Sequence, residues 1–335
     1  MKVTLADIAR AAGTSPSTVS RALSDPDKVN PQTRERIQRV AREMGYTANP
    51  IARALSVGRT GMIGLIVPDI ANPFFPPIIK AVQARAGRKD NVVLLADTDE
   101  HAGDELERAR VLSKHVDGLI LVSPRTPEER LSEFVELSPI VFVNRRVDGA
   151  PSVIIDNSDG LDQAVQHLTA LGHRRICYLS GPRRSWSNQQ RRASLAAACT
   201  RYGAELTEFG PFEPQVQAGV RAADLVQASG ATAVIAFDDL IAMGLMARLV
   251  EYRLHPGRDI SVIGIDDSPM SDVAYPTLTS IHVPGSEAGT AAVDLLLAQL
   301  DDVGSDRAAV LQLETRLVIR GSTGPAPPAA DTHLT

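Results

Sequence analysis

The segment "TSPSTVSRAL", Thr14 to Leu23, packs Ser15, Pro16, Ser17, Thr18 and Ser20 into six residues, with Arg21 directly after them. Small hydroxyl side chains at the front of a helix let its backbone approach a groove closely. Ser17, Thr18 and Ser20 can hydrogen-bond bases or phosphates, and Arg21 can reach a guanine or a phosphate. A surface helix of a small three-helix domain would carry the same residues, so spacing alone leaves both readings open. A second set of reactive groups lies further along. Asp238 in "AFDD" and Asp266 in "GIDD" each end a strand-like run, where open α/β sheets bind ligands. Carboxylates accept pairs of sugar hydroxyls, and arginine donates a planar fork. Trp186, the only tryptophan, could stack on a sugar face; Ser185, Ser187, Arg183 and Arg184 stand beside it. The stretch "PDIANPFF" puts Asp69, Asn72, Phe74 and Phe75 in a loop after another such run, with Phe74 the better candidate for an apolar wall.

These groups need elements to hold them. Thr4 and Asp7 form a T-x-x-D start signal before Leu5, Ile8, Ala9 and Ala12, and Gly13 stops that helix. Ser15 caps a second helix with Pro16 at its first position, where the missing N–H is harmless, and Val19, Ala22 and Leu23 point inward. Asn30–Pro31 repeats the signal for a third helix with an Ile37, Val40, Ala41, Met44 stripe. Asn49–Pro50 repeats it again for a short fourth helix, Ile51 to Val57. From Gly61 eight buried-strand runs (62–67, 91–97, 117–123, 140–144, 152–156, 175–181, 233–239 and 260–267) alternate with helical patterns. That alternation predicts parallel, doubly wound α/β sheets, and the number of strands favours two lobes with a cleft between them. His173, in "LGHRRI", reads as a turn residue at a helix end rather than a ligand. The stretch after Arg320, rich in proline and alanine, reads as a disordered tail.

Composition narrows the function. Residues 1–60 hold ten Lys/Arg against five Asp/Glu, a net of +5, within a chain whose net charge is −5. A basic end on an acidic body suits contact with a polyanion. Cys177 and Cys199 form no CxxC pattern, so neither a zinc site nor a disulfide framework is expected, and the cytoplasm is the expected compartment. The charged start "MKVTLADIARAAG" does not read as a signal peptide, and no apolar run is long enough for a membrane span. No G-x-G-x-x-G follows a strand, and neither a P-loop nor a G-x-S-x-G elbow is present, which argues against an enzyme. A sugar-binding protein without DNA function is the other competitor. It would share the core but have no need of the first 58 residues.

The runs "VTLADIARAAG", "STVSRAL", "TRERI", "MGYTANPIARAL" and "IGLIVPDIANPFF", followed in order by "LGHRRI", "GPRRSWSNQQRRASL", "AFDDLIAMGLM", "ISVIGIDDSP" and "YPTLTSIHVP", closely resemble the lactose/galactose repressor (LacI/GalR) family. The resemblance covers about residues 3–320. It implies an all-α helix-turn-helix headpiece (1–48), a hinge helix and linker (49–60) and a periplasmic-binding-protein-like core (61–320). The first lobe of that core would take about 61–157 plus part of 284–311, the second about 158–283 plus about 312–320, with 321–335 as tail. On this resemblance Pro16, Ser17 and Arg21 read bases. Thr4, Ser15, Thr18, Ser20, Asn30 and Thr33 meet phosphates, and helix three adds Arg34, Arg36, Arg39 and Arg42, of which about one is expected to touch phosphate. Ala52 and Leu55 belong to the hinge, Leu55 as a minor-groove wedge that bends DNA. Arg191 takes the place of the family's ligand clamp, and Asn144 stands where relatives often carry aspartate. The effector set is then Asp69, Asn72, Phe74, Asn144, Ser185, Trp186, Ser187, Arg191, Asp238 and Asp266. The function implied is a transcriptional repressor, not an enzyme, without cofactor or metal. Its partners would be palindromic double-stranded operator DNA, a small effector such as a sugar, and a second copy of itself in a homodimer associated with the nucleoid.

Overall fold

The computed structural model describes residues 3–24, 28–46, 59–301 and 308–328, in two compact units, Met1–Met62 and Ile63–Thr335. The first unit contains α1 (Leu5–Ala11), α2 (Pro16–Ser24) and α3 (Pro31–Glu43). The caps form as the residues dictate. Asp7 N–H donates to Thr4 Oγ1 at 3.3 Å while Thr4 N–H donates to the Asp7 carboxylate at 3.0 Å, a reciprocal capping box. Thr18 N–H donates to Ser15 Oγ at 3.1 Å, and Gln32 N–H donates to Asn30 Oδ1 at 3.0 Å. Ile8, Val19 and Ile37 are fully buried, with Ala9, Ala12, Ala22 and Ala41 closing the space between them. Each large apolar side chain contributes roughly 1.5–3 kcal/mol, so this small core rests on a few residues. The expected hinge helix, with Ala52 and Leu55, lies outside the described residues.

The second unit is built from two six-stranded sheets. The first lobe runs β1 (Met62–Val67), α4 (Phe75–Gly87), β2 (Val92–Asp97), α5 (Ala102–Leu112), β3 (Gly118–Val122), α6 (Ser132–Leu137), β4 (Ile140–Val143) and β5 (Ser152–Asp156). The second runs α7 (Ser158–Ala170), β6 (Arg175–Leu179), α8 (Trp186–Tyr202), β7 (Glu205–Phe209), α9 (Val216–Ser229), β8 (Ala233–Ala236), α10 (Asp239–Glu251), β9 (Ser261–Asp266), α11 (Pro269–Val273) and β10 (Thr279–His282). The chain then returns through α12 (Gly285–Leu300) and β11 (Val310–Glu314) to the first sheet, and ends in β12 (Arg316–Val318) on the second. Strand order is β11-β5-β4-β3-β1-β2 in one sheet and β12-β10-β9-β8-β6-β7 in the other. The strands β1, β3, β4 and β8 are almost wholly buried, as sheets covered by helices on both faces require. Pairing is parallel except at β12, which runs antiparallel to β10.

Two differences from the expectation have physical causes. Strand β11 pairs with β5 out to Glu314, so the first lobe extends past 311 and the chain changes sheet at Thr315. The chain therefore passes between lobes at 156–158, 282–285 and 314–316, and these passages touch. A Cβ on Gly160 would lie 2.6 Å from Ile281 Cγ2 and 2.7 Å from Thr315 Oγ1. Residues 321–326, assigned to a disordered tail, are instead bound. Ser322 accepts from Thr279 N–H and donates to Val262 C=O, at 2.8 and 2.6 Å. Gly324 C=O accepts from Ser261 Oγ and lies 3.0 Å from His173 Nε2, and Ala326 N–H donates to Leu171 C=O. These contacts satisfy polar groups at the ends of β9, β10 and α7 that would otherwise be buried unpaired. His173, 1% exposed between Thr232, Ser261 and Gly324, is the structural residue expected.

Candidate functional site

In the helical unit Pro16, Ser17 and Arg21 on α2 are exposed while Val19 and Ala22 are buried. Ser15 Oγ lies 2.8 Å from both Ser17 Oγ and Thr18 Oγ1 at the helix start, so the small residues form one polar tip. Thr4 holds its capping box, Asn30 caps α3, and Ser20 and Thr33 are half-buried. Arg36, Arg39 and Arg42 are exposed along α3 and Arg34 is half-buried.

In the core, the carboxyl ends of the strands from the two lobes face a cleft of about 330 Å³, part of it open to solvent. Seven of the ten expected effector residues line it: Asn72, Phe74, Asn144, Ser187, Arg191, Asp238 and Asp266. The other three do not. Asp69 closes a turn by accepting from Ala71 N–H. Ser185, fully buried, caps α8 through Asn188 N–H at 3.2 Å. Trp186 lines a neighbouring cavity. Phe75, Ser123, Arg125, Pro214 and Phe237 complete the lining. Ser123 and Arg125 follow β3 at its carboxyl end, the same signal that marks Asp238, and Phe237 directly precedes Asp238. Pro214 carries no comparable signal.

Arg191, at 3% exposed, is held from several sides. It donates to Phe237 C=O at 2.5 Å and to Asn157 Oδ1 at 3.3 Å, lies 3.8 Å from the Asp266 carboxylate, and stacks 4.7 Å from the Phe237 ring centre. Asp238 caps α10 through Ile241 N–H at 2.8 Å and accepts from Asn72 Nδ2 at 3.3 Å, a bond that joins the lobes. Burial pushes the Asp238 carboxyl up to about 7, against its ordinary 3.8. Burial also lifts Asp266 well above the usual carboxylate range, more than the Arg191 charge pulls it down. Behind them Asp239 accepts from Ser268 N–H, Ser271 and Ser280, which fixes the end of β9.

The first-lobe wall turns on Ser123 (φ 46°) and Asn144 (φ 55°), both in left-handed conformation at strand ends. Asn144 Nδ2 donates to Ser123 Oγ at 2.9 Å, which leaves Asn144 Oδ1 as a buried acceptor without a hydrogen-bond partner among the described residues. Arg125 is neutralised in place by a two-pronged pair with Glu100, at 2.5 and 2.8 Å. Glu105, raised by burial, clamps the backbone of Arg125 and Thr126. Arg145, 5% exposed, lies 3.6 Å from Glu128, with Glu105 and Glu129 also acting on its charge.

An exposed polar tip on a basic helical head, followed by a two-lobed core with a cleft of converging polar groups, defines a ligand-responsive DNA-binding regulator. Residues 4–49 match the model of bacterial regulatory proteins, lacI family, and residues 165–323 match a periplasmic binding protein-like domain. The chain is 33% identical over 337 residues to the HTH-type transcriptional repressor CytR of Escherichia coli (strain K12), covering 97% of both chains. It is 29% identical to catabolite control protein A of Priestia megaterium, over 96% of this chain and all of the relative. It superimposes with a TM-score of 0.85 and 28% identity on the lac repressor dimer bound to operator and the anti-inducer ONPF, covering 97% of this chain and 100% of that one. The chain belongs to the LacI family. It is a DNA-binding transcriptional regulator and not an enzyme. Among the described residues no helix is long and apolar enough to cross a membrane.

Proposed function

We propose that this protein is a repressor that binds a palindromic operator as a homodimer and releases or tightens its grip when a neutral sugar enters the core cleft. Residues 1–48 form the reading head, 49–60 the hinge and 61–326 the effector core, and the protein works in the cytoplasm against the nucleoid. Pro16, Ser17 and Arg21 read bases, Thr4, Ser15, Thr18, Ser20, Asn30 and Thr33 line the phosphates, and Ala52 and Leu55 serve the hinge. The carrying observation is the charge balance of the cleft. Arg125 is paired with Glu100, and Arg191 is already held by Phe237 C=O, Asn157 and Asp266, so neither guanidinium is left open to hold an anion. What remains is Asn144 Oδ1, Ser187 and the carboxyl groups for hydroxyls, with Phe74, Phe75 and Phe237 for an apolar ring face. The solved relatives include a CelR–cellobiose complex, at a TM-score of 0.70 and 30% identity.

The test is calorimetry of the full chain with neutral monosaccharides and their phosphate esters, paired with operator mobility shifts in the presence of each. Binding of a neutral sugar that changes operator affinity is the expected result. Preference for the phosphate ester would overturn the neutral-sugar assignment, and an unchanged mobility shift with every bound sugar would remove the regulatory link.

A further inference from the structure

Asp266 faces the cleft with no hydrogen bond to hold its carboxylate among the described residues, and Arg191 lies 3.8 Å away. Its aim is therefore set by the backbone. Asp266 (φ 118°) and Asp267 (φ 53°) are consecutive non-glycine residues with positive φ. L side chains seldom adopt such conformations, which persist only where the surrounding structure fixes them. The fixing groups lie outside the cleft. Asp267 N–H donates to Ser280 Oγ at 3.0 Å. The Asp267 carboxylate is taken on both sides: His282 Nδ1 lies 2.9 Å from Oδ2, and Arg320 Nη2 donates to Oδ1 at 2.7 Å. The same Nη2 lies 2.7 Å from Asp272, and Arg320 Nη1 donates to Leu278 C=O at 3.0 Å. Asp267 and Arg320 are 13% and 14% exposed, and neither lines the cleft.

We propose that the Asp267–Arg320 pair is a positioning lock for effector binding, which holds the turn after β9 so that the Asp266 carboxylate faces the cleft beside Arg191. This rests on the cleft being the effector site, and not on the effector being a sugar. The chemistry of the pair fits the task. An arginine fork fixes direction as well as charge, because its planar N–H groups reach two carboxylates and a carbonyl at once, whereas lysine offers a point charge. Partial burial also spares the pair most of the salt screening that weakens exposed pairs. The origin of the partners matters too. His282 ends β10 where the chain leaves the second lobe, and Arg320 follows β12 just beyond the 314–316 passage. The lock thus joins the ligand-facing turn to two of the three chain passages between the lobes.

The test separates aim from plain stability. Asp266→Asn, Arg191→Gln and the double variant are made in the full chain, once with Arg320 present and once with Arg320→Met. Urea unfolding of the core is followed by circular dichroism. Any general cost of Arg320→Met is common to its set of proteins and cancels from the Asp266–Arg191 coupling. That coupling should fall to less than about half when Arg320 is replaced by methionine, and Arg320→Lys should restore only part of it. Should the Arg320→Met set prove unfolded, Asp267→Asn, which keeps the shape and loses the charge facing Arg320, carries the same comparison. Calorimetry with glucose, galactose, ribose and xylose adds a direct reading. A sugar that binds the wild type should bind Arg320→Met at least about tenfold more weakly, while in an Asp266→Asn background the same exchange should matter less than about twofold. A coupling left intact, or a sugar affinity that Arg320→Met leaves unchanged or lowers equally in both backgrounds, would overturn the lock. If none of the four sugars binds, the sugar reading falls and the unfolding comparison alone decides the lock.

Discussion

Replacing Asp238 by asparagine isolates the electrostatics of the cleft. Burial raises this carboxyl from 3.8 to about 7, and the side chain is 2% exposed. An acid whose folded pKa exceeds its unfolded value takes up a proton on folding. Its contribution to stability is complete below pH 3.8 and drains away as pH rises towards 7, above which both states are ionised. Each unit corresponds to about 1.4 kcal/mol. From pH 5 to pH 8 the wild type therefore loses about 3 kcal/mol that Asp238→Asn does not. Asparagine keeps the shape and can still cap Ile241 N–H. At about 2–4 °C per kcal/mol for a unit of this size, the melting-temperature gap, variant minus wild type, should widen by roughly 6–12 °C between pH 5 and pH 8. His167 and His173, lowered by burial, lose stability as pH falls, the opposite sign, but both proteins share them and the difference removes them. Thermal unfolding followed by circular dichroism at half-unit pH steps reads the gap. A gap constant to about 2 °C across that range would show that Asp238 is ionised in the folded protein and refute the burial argument.

Arg21→Ala should weaken operator binding by about 1–3 kcal/mol, or roughly 5- to 150-fold, in fluorescence anisotropy, with base preference relaxed at one operator position; Leu55→Ala should weaken it too, with less DNA bending. Arg191→Ala should lower core stability by about 3–5 kcal/mol by stranding Asp266, and should abolish the effector response while operator binding at permissive temperature survives. Val19→Ala should cost the helical head about 1–3 kcal/mol, so that DNA affinity falls while calorimetric sugar binding to the core is unchanged. Arg145→Met should leave the melting temperature unchanged or raise it, because burial costs this guanidinium more than Glu128 at 3.6 Å and the weaker pull of Glu105 and Glu129 return; a fall of more than about 1 kcal/mol would mean the guanidinium is anchored.

The caps of α1, α2 and α3 were readable because Thr4–Asp7, Ser15–Pro16 and Asn30–Pro31 are local signals that need no tertiary partner. The central strands were readable because β1 and β3 bury both faces and so read as unbroken apolar runs. The strands β7, β10, β11 and β12 were not among the runs. β7, β11 and β12 lie at sheet edges, where residues such as Glu205, Gln312 and Arg316 face solvent and interrupt the pattern, while β10 is short and its Thr279, Ser280 and His282 break the apolar run. In the cleft, the rule that strand carboxyl ends bind ligands found Asp238 and Asp266, and applied to β3 it would also have found Ser123 and Arg125. Ser185 and Trp186 were misplaced because neighbours in sequence at a helix start point different ways. Ser185 turns in to cap α8, while Trp186 opens onto the neighbouring cavity. The binding of Ser322 and Gly324 was illegible because their partners, Thr279 and Ser261, stand more than forty residues away and no local pattern records the pairing.

The meeting of three chain passages at Gly160 sets the terms on which this protein can be recombined with its relatives. A graft that exchanges only residues 158–283 would place one parent's Gly160 and Ile281 against the other parent's Thr315, with no room for a methyl group among them. It would also leave β12 and the 321–326 strap, both seated on the second lobe, behind in the wrong parent. Specificity therefore travels as two pieces of sequence, the inserted lobe and the last dozen bound residues. A library built by single-crossover shuffling would discard most of its members at this one crowded point.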